Sequence, residues 1–250
     1  MIRRLLTAIA FLTRIPVNPA QPFDGEDVAR ASLFFPLVGC LIVLLQWALL
    51  LFLDALGVHA VLQALAATTL LMLIGGGLHQ DGLADMADGF GGAFERERVL
   101  EIMKDSTIGT YGGLALLLAL ATRISAMVLL IQQDAALIGL LTAAAVSRCS
   151  IVLAWWLPYA RDIGTGQSIT QLTGPNEVAG ALGFAVIISF ICLGLSALTV
   201  LFIAALTFVL MAWVCVRKIG GVTGDTLGAT TEITDVVLLA TIATLTAAIG

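Results

Sequence analysis

Residues 75–113 read GGGLHQDGLADMADGFGGAFERERVLEIMKDSTIGTYGG and lie between two apolar runs, 58–74 and 113–131, each close to the length that crosses about 30 Å of hydrocarbon. The stretch holds ten of the chain's acidic and basic residues, in a protein that is otherwise almost uniformly apolar. A polar island of that density between two apolar runs marks a connection at a membrane face. The fold class that follows is all-α, a polytopic transmembrane helical bundle.

Composition agrees over the whole chain. It is 60% hydrophobic and 12% charged, against roughly 25% charged in soluble domains, with a mean hydropathy of +1.05. Further spans are expected over 31–53, 135–157, 178–198, 199–216 and 236–250, the last short, which makes about seven. Residues 1–15 lack the small-residue cleavage pattern of a signal peptide, and Arg14 closes the apolar stretch too soon for a span. They are expected to form an N-terminal interfacial helix. Pro16, Pro19 and Pro22 then predict an irregular connector, and Asp24 and Glu26 the opening of a short helix. With this many spans the 250 residues leave no room for a separate soluble unit, so 1–250 is expected as one integral-membrane domain.

Counted over seven reversals, every basic residue outside the spans falls on one side, which the positive-inside rule makes cytoplasmic. Both polar islands, 75–113 and 217–235, then share that face, and the C-terminus lies opposite. The net charge of −5 and the lack of any basic patch exclude nucleic acid as a partner. Cys40, Cys149, Cys192 and Cys215 sit unpaired inside apolar runs, as small buried side chains do.

The islands carry the candidate chemistry. Asp81, Asp85 and Asp88 stand at i, i+4 and i+7, one face of a helix, where like charges repel unless a cation sits among them. Hard oxygen donors suit Mg²⁺ or Mn²⁺. The second island adds Asp225 and Glu232, again seven apart, with Asp235 beyond them. Its Gly221 and Gly224 are poor helix formers, suited to close approach by a phosphate. His79 is a candidate metal ligand or general base, or else a supporting hydrogen bonder. Lys104 is placed to hold a phosphate, while the surrounding ERERVLEIMK fits a solvated helix face. His59, on the opposite side, is expected to be structural or merely exposed. Arg123 and Arg148 fall inside spans, at roughly 2.5–3.5 kcal/mol each on insertion scales. They must face the bundle interior, to pair with island carboxylates or to meet an anionic substrate.

Three of these stretches together, HQDGLADMADGFGG at 79–92, MKDSTIGTYGG at 103–113 and GGVTGDTLGATTE at 220–232, resemble the cobalamin synthases, the adenosylcobinamide-GDP ribazoletransferases. FLTRIP at 11–16 and RCS at 148–150 extend the resemblance over essentially the whole chain. It implies a multi-pass enzyme of the bacterial inner membrane, with a cytoplasmic active face and a periplasmic C-terminus. Such an enzyme joins adenosylcobinamide-GDP to α-ribazole or its 5′-phosphate, releasing GMP with Mg²⁺ required. On that reading Asp81, Asp85, Asp88, Asp225 and Glu232 hold the metal, and one carboxylate or His79 takes the proton of the ribazole 3′ hydroxyl. Lys104, Arg123, Arg148, Gly221 and Gly224 serve the phosphates. The spaced aspartates also resemble those of CDP-alcohol phosphotransferases. The lipid bilayer is the expected partner besides the substrates, and a homo-oligomer is compatible with the sequence. The rival reading is a transporter or channel with a cytoplasm-facing cation site. Against it, the acids cluster at one face and no convincing internal repeat is present.

Overall fold

The structure, a computed structural model, describes residues 1–18, 23–161 and 165–248. Among these the only strand-like pairing is one isolated parallel bridge, Tyr159 to Val222, and the rest of the regular structure is helical.

Helix α1 (Ile2–Leu12) is about 16 Å long, too short to span. It buries Thr7, Ala8 and Leu12, and its Arg3 donates to both carboxylate oxygens of Asp27 (3.1 and 2.9 Å) on α2 (Gly25–Ala31). The side chain of Asp24 caps α2 by accepting the Asp27 N–H at 2.9 Å, so the short helix expected there forms. Pro16 is in irregular chain, whereas Pro19 and Pro22 lie outside the described residues. Helix α3 (Phe35–Ala55) carries Pro36 in its first turn, where a missing N–H removes no bond. Helix α4 (Ala60–Gly75) starts at His59, whose imidazole accepts the Val61 N–H, the structural part expected of it.

At Gly76 and Gly77 the chain turns through two successive left-handed conformations (φ 65° and 75°) that residues with a Cβ rarely adopt. The next helix, α5 (Leu78–Gly92), consequently leaves α4 at 88°. Helix α5 is followed by the short α6 (Arg96–Ile102). Helices α7 (Thr110–Gln132) and α8 (Ala136–Leu153) match expected spans, and α9 (Thr165–Leu172) lies in the polar connection after them. Next come α10 (Pro175–Leu193), α11 (Ala197–Ile219) and α12 (Gly224–Ala247).

Five segments are long and apolar enough to cross a membrane, and the bent α4–α5 pair meets the same test taken together. One of the five, Pro175–Ile219, has 45 residues, far more than one crossing needs. It breaks at Gly194 (φ 55°), and α10 and α11 fold back on each other, with Ala185 and Ala204 facing a shared apolar cavity.

The second island departs from expectation. Residues 217–235 are not a loop before a short terminal span. Instead α12 starts at Gly224 and runs unbroken for 24 residues, carrying Asp225, Glu232 and Asp235 into the bundle; residues 249 and 250 lie outside the described ones. Its Gly228 serves the packing of helix on helix, together with Gly82 of α5. A Cβ on Gly82 of α5 would sit 2.5 Å from the Asp225 carbonyl oxygen, and one on Gly228 would sit 3.3 Å from that of Leu78. The backbones of α5 and α12 therefore cross at close range, as small residues permit between membrane helices. Thr223 caps α12, its hydroxyl accepting the Thr226 N–H at 3.3 Å.

Candidate active site

The α5–α12 crossing brings the two islands together. Asp81 at the first turn of α5 is exposed, Asp85 one turn on is half-buried, and Asp225 at the first turn of α12 is half-buried beside them. Burial, then the charges of Asp81 and Asp225, push the Asp85 carboxyl up to about 6. Arg161 donates to Asp225 Oδ2 at 2.9 Å and draws the Asp85 carboxyl back down.

The remaining predicted ligands are engaged elsewhere. Asp88 is buried and accepts the backbone N–H groups of Gly109 (2.7 Å) and Gly112 (2.9 Å), so it caps the start of α7. Both partners must be glycine here. A Cβ on Gly109 or Gly112 would sit 2.5 or 2.3 Å from an Asp88 oxygen.

Glu232, expected at the metal, is 2% exposed, accepting from Arg123 at 2.9 Å and from Gln80 Nε2 at 2.7 Å. Arg123 donates also to Asp235 Oδ2 at 2.8 Å. Arg148 reaches Asp235 Oδ1 at 3.2 Å, and Ser147 donates to the same oxygen at 2.8 Å. Two guanidinium groups and two carboxylates thus form a closed neutral cluster between α7, α8 and α12. Of the two fates open to Arg123 and Arg148, pairing with island carboxylates is the one realised, and neither faces outward to a phosphate. Room for Arg148 comes from Gly39 on α3, where a Cβ would sit 2.7 Å from its Cδ.

His79 also turns inward. Its Nε2 is shut off from solvent without a hydrogen-bond partner, and the ring lines a cavity of about 20 Å³ with both arginines, Glu232 and Asp235. That geometry does not present a base to a substrate on the outer face. Gly221, expected at a phosphate, is buried against another backbone. A Cβ there would sit 2.2 Å from the Pro158 carbonyl oxygen, and the contact is held by Val222 N–H to Pro158 (2.9 Å) and Ala160 N–H to Val222 (2.8 Å). Gly224 is exposed with open space around it, and Lys104 is exposed in the loop after α6.

Two contributors, Arg161 and Arg96, escape the sequence reading, and the pairing of a third, Asp235, is not assigned there. Arg161 sits in a polar loop with no spacing signal. Arg96 donates to the carbonyls of Ile219 (2.9 Å) and Ala160 (2.7 Å), fastening the loops around Asp225. Asp235 carries a usable signal, since it stands three residues past Glu232 on the same helix face.

Among the described residues no three His, Cys, Asp or Glu side chains converge tightly enough to hold a metal ion as they stand. The donor chemistry at Asp81, Asp85 and Asp225 still fits a hard divalent cation, because the three carboxylates repel one another across a half-open face.

A family model described as cobalamin-5-phosphate synthase matches residues 4–243. The chain belongs to the cobalamin-5-phosphate synthase family. Relatives named adenosylcobinamide-GDP ribazoletransferase are similar to it over nearly their full length. The one from Rhizobium meliloti is 39% identical over 248 residues, covering 94% of each chain. The one from Pseudomonas aeruginosa strain UCBPP-PA14 is 40% identical over 250 residues, covering 97% of this chain and 98% of its own. A third, from Syntrophobacter fumaroxidans, is 39% identical over 237 residues, covering 93% and 95%. No solved structure matches the chain.

Proposed function

We infer that this membrane protein is an adenosylcobinamide-GDP ribazoletransferase. The 3′ hydroxyl oxygen of α-ribazole, or of its 5′-phosphate, forms a bond to the cobinamide-side phosphorus of adenosylcobinamide-GDP. The bond from that phosphorus to the bridging oxygen breaks, GMP leaves with the bridging oxygen, and the hydroxyl proton passes to a base. The observation that carries the reading is the meeting of Asp81, Asp85 and Asp225 on one outer face, built by two motif-bearing helices that cross at Gly82.

On this proposal Asp81, Asp85 and Asp225 would hold Mg²⁺, which would supply positive charge against the diphosphate. The other residues position and protect. Asp88 fixes α5 against the start of α7, while Gln80 links α5 to the buried cluster through Glu232. Arg161, paired with Asp225, brings positive charge to the acids where a substrate phosphate would bind. The proton acceptor is a carboxylate of this face. Placement in the bacterial inner membrane, with this face toward the cytoplasm and the C-terminus periplasmic, belongs to the same proposal and rests on the one-sided distribution of basic residues.

The test uses purified protein in lipid vesicles, following GMP release from adenosylcobinamide-GDP. Release that requires both the acceptor and Mg²⁺ is expected. Folded protein that releases none under any combination of acceptor and divalent metal refutes the reading.

A further inference from the structure

A cleft of about 560 Å³ opens beside Asp81, at the corner where α5 leaves α4. Its walls are apolar at Phe11, Leu78, Ile108 and Leu116, and polar at Arg14 and Asp81. Arg14 is held there by design of the corner. Its backbone N–H donates to the Ile74 carbonyl at 2.7 Å, and its side chain lies across Gly76, where a Cβ would sit 2.3 Å from Nε. The glycine therefore does two things, taking a left-handed φ and leaving the surface over which the arginine extends. Arg14 is exposed, and no carboxylate pairs with it among the described residues. Arg3, Arg123, Arg148 and Arg161 all have such partners.

An arginine fixed against backbone, without an internal counter-ion, in an apolar cleft that also contains a candidate metal ligand, is arranged for an anionic group on an otherwise apolar molecule. The volume is within the roughly 300–1,000 Å³ that encloses a drug-sized molecule, which admits a nucleotide and not a corrin ring with its amide arms and adenosyl group. Of the two nucleotide units in the reaction, the lining selects one: walls at Phe11, Ile108 and Leu116 suit a benzimidazole, which has no exocyclic polar groups, better than guanine, whose buried amide and amino groups would need partners. We propose that this cleft seats the acceptor, its bicyclic base among Phe11, Ile108 and Leu116, and that Arg14 binds the 5′-phosphate. Arg14 is then the residue that makes the enzyme prefer α-ribazole 5′-phosphate over α-ribazole. The proposal rests on the transfer reaction inferred above.

The test compares the two acceptors in vesicles at saturating adenosylcobinamide-GDP, with equilibrium dialysis of α-ribazole 5′-phosphate as a readout that needs no turnover. Arg14→Gln should raise KM for the phosphorylated acceptor roughly 10- to 100-fold, the range of one charge-assisted contact. KM for the free nucleoside should move far less, so that the preference collapses, and Arg14→Lys should restore part of it. Leu116→Trp, which fills the cleft while leaving Arg14 alone, should raise KM for both acceptors together. Equal changes for both acceptors in the arginine variants, a rise in KM for adenosylcobinamide-GDP instead, or an indifferent Leu116→Trp would each overturn the proposal. If Arg14→Gln does not fold, the Arg14→Lys preference and the Leu116→Trp result decide. Failure of the parent reading is distinct, since the unaltered protein would then release no GMP with either acceptor.

Discussion

Removing Arg123 or Glu232 separates the two parts that the buried cluster could play. The groups are 1% and 2% exposed and 2.9 Å apart, so each substitution strands a charge in the bundle interior. In Arg123→Leu, Glu232 and Asp235 face Arg148 alone; in Glu232→Leu, two guanidinium groups face Asp235 alone. Breaking a buried pair from one side costs about 3–5 kcal/mol, a factor of roughly 10² to 10³ or more in the folding equilibrium. The double variant leaves Arg148 and Asp235 as a matched pair, and apolar replacement of both partners of a buried pair is close to neutral. The expected coupling energy is therefore at least about 2 kcal/mol, well above the ~0.5 kcal/mol scatter of independent sites. Denaturant titration of the four proteins in detergent micelles, scored by tryptophan fluorescence, measures it, with GMP release followed in parallel. If Glu232 were a metal ligand instead, Glu232→Leu would lose turnover while keeping its stability, and Arg123→Leu would restore nothing. Additive losses across the cycle would refute the cluster as described.

Other perturbations act on the outer face. Asp85→Asn should abolish turnover in a protein that remains folded, and chelation should silence the unaltered enzyme until Mg²⁺ is returned; full activity in either case removes Asp85 or the metal from the mechanism. Below pH about 6 protons compete with the cation for Asp85, so the Mg²⁺ concentration giving half-maximal rate should rise as pH falls. Arg161 lowers the Asp85 carboxyl, so Arg161→Gln should start that rise at higher pH, and an onset moved to lower pH would contradict the arrangement. A Cβ placed 2.5 Å from the Asp225 carbonyl oxygen cannot be absorbed by a flexible side chain, so Gly82→Ala should destabilise by about 1–3 kcal/mol and reduce kcat by parting Asp85 from Asp225. Thermal unfolding and initial rates on the same preparation check both effects.

The bundle was legible in the sequence because its signal is bulk apolarity, and the bilayer admits few other solutions. The acidic face of α5 was legible for the same local reason, a helical spacing within eight residues. Long-range pairing was not. That Arg123 and Arg148 needed partners could be read from the price of charge in hydrocarbon, but 109 residues separate Arg123 from Glu232, and nothing local selects that partner. Glycine misled in the second island. Its density argues against a helix by propensity, yet Gly228 lies inside α12 because the backbones of α5 and α12 touch there, and tertiary packing overrides propensity. Asp88 looked like its neighbours on the helix face, and only the fold reveals that Gly109 and Gly112 fill its acceptor sites.

The positions of charge also decide between an enzyme and a transporter. Glu232 and Asp235 lie about 12 and 16 Å along α12 from its first residue, near the middle of a bilayer some 30 Å thick. A cation path would need acceptors free at that depth, but these are saturated by Arg123 and Arg148, which repel a cation in their own right. The surplus lies at the face instead, where among the described residues the one ion pair made by Asp81, Asp85 and Asp225 is that of Asp225 with Arg161. An acidic face set above a sealed and neutral interior suits the proposed cation-assisted group transfer at the surface and closes the route through.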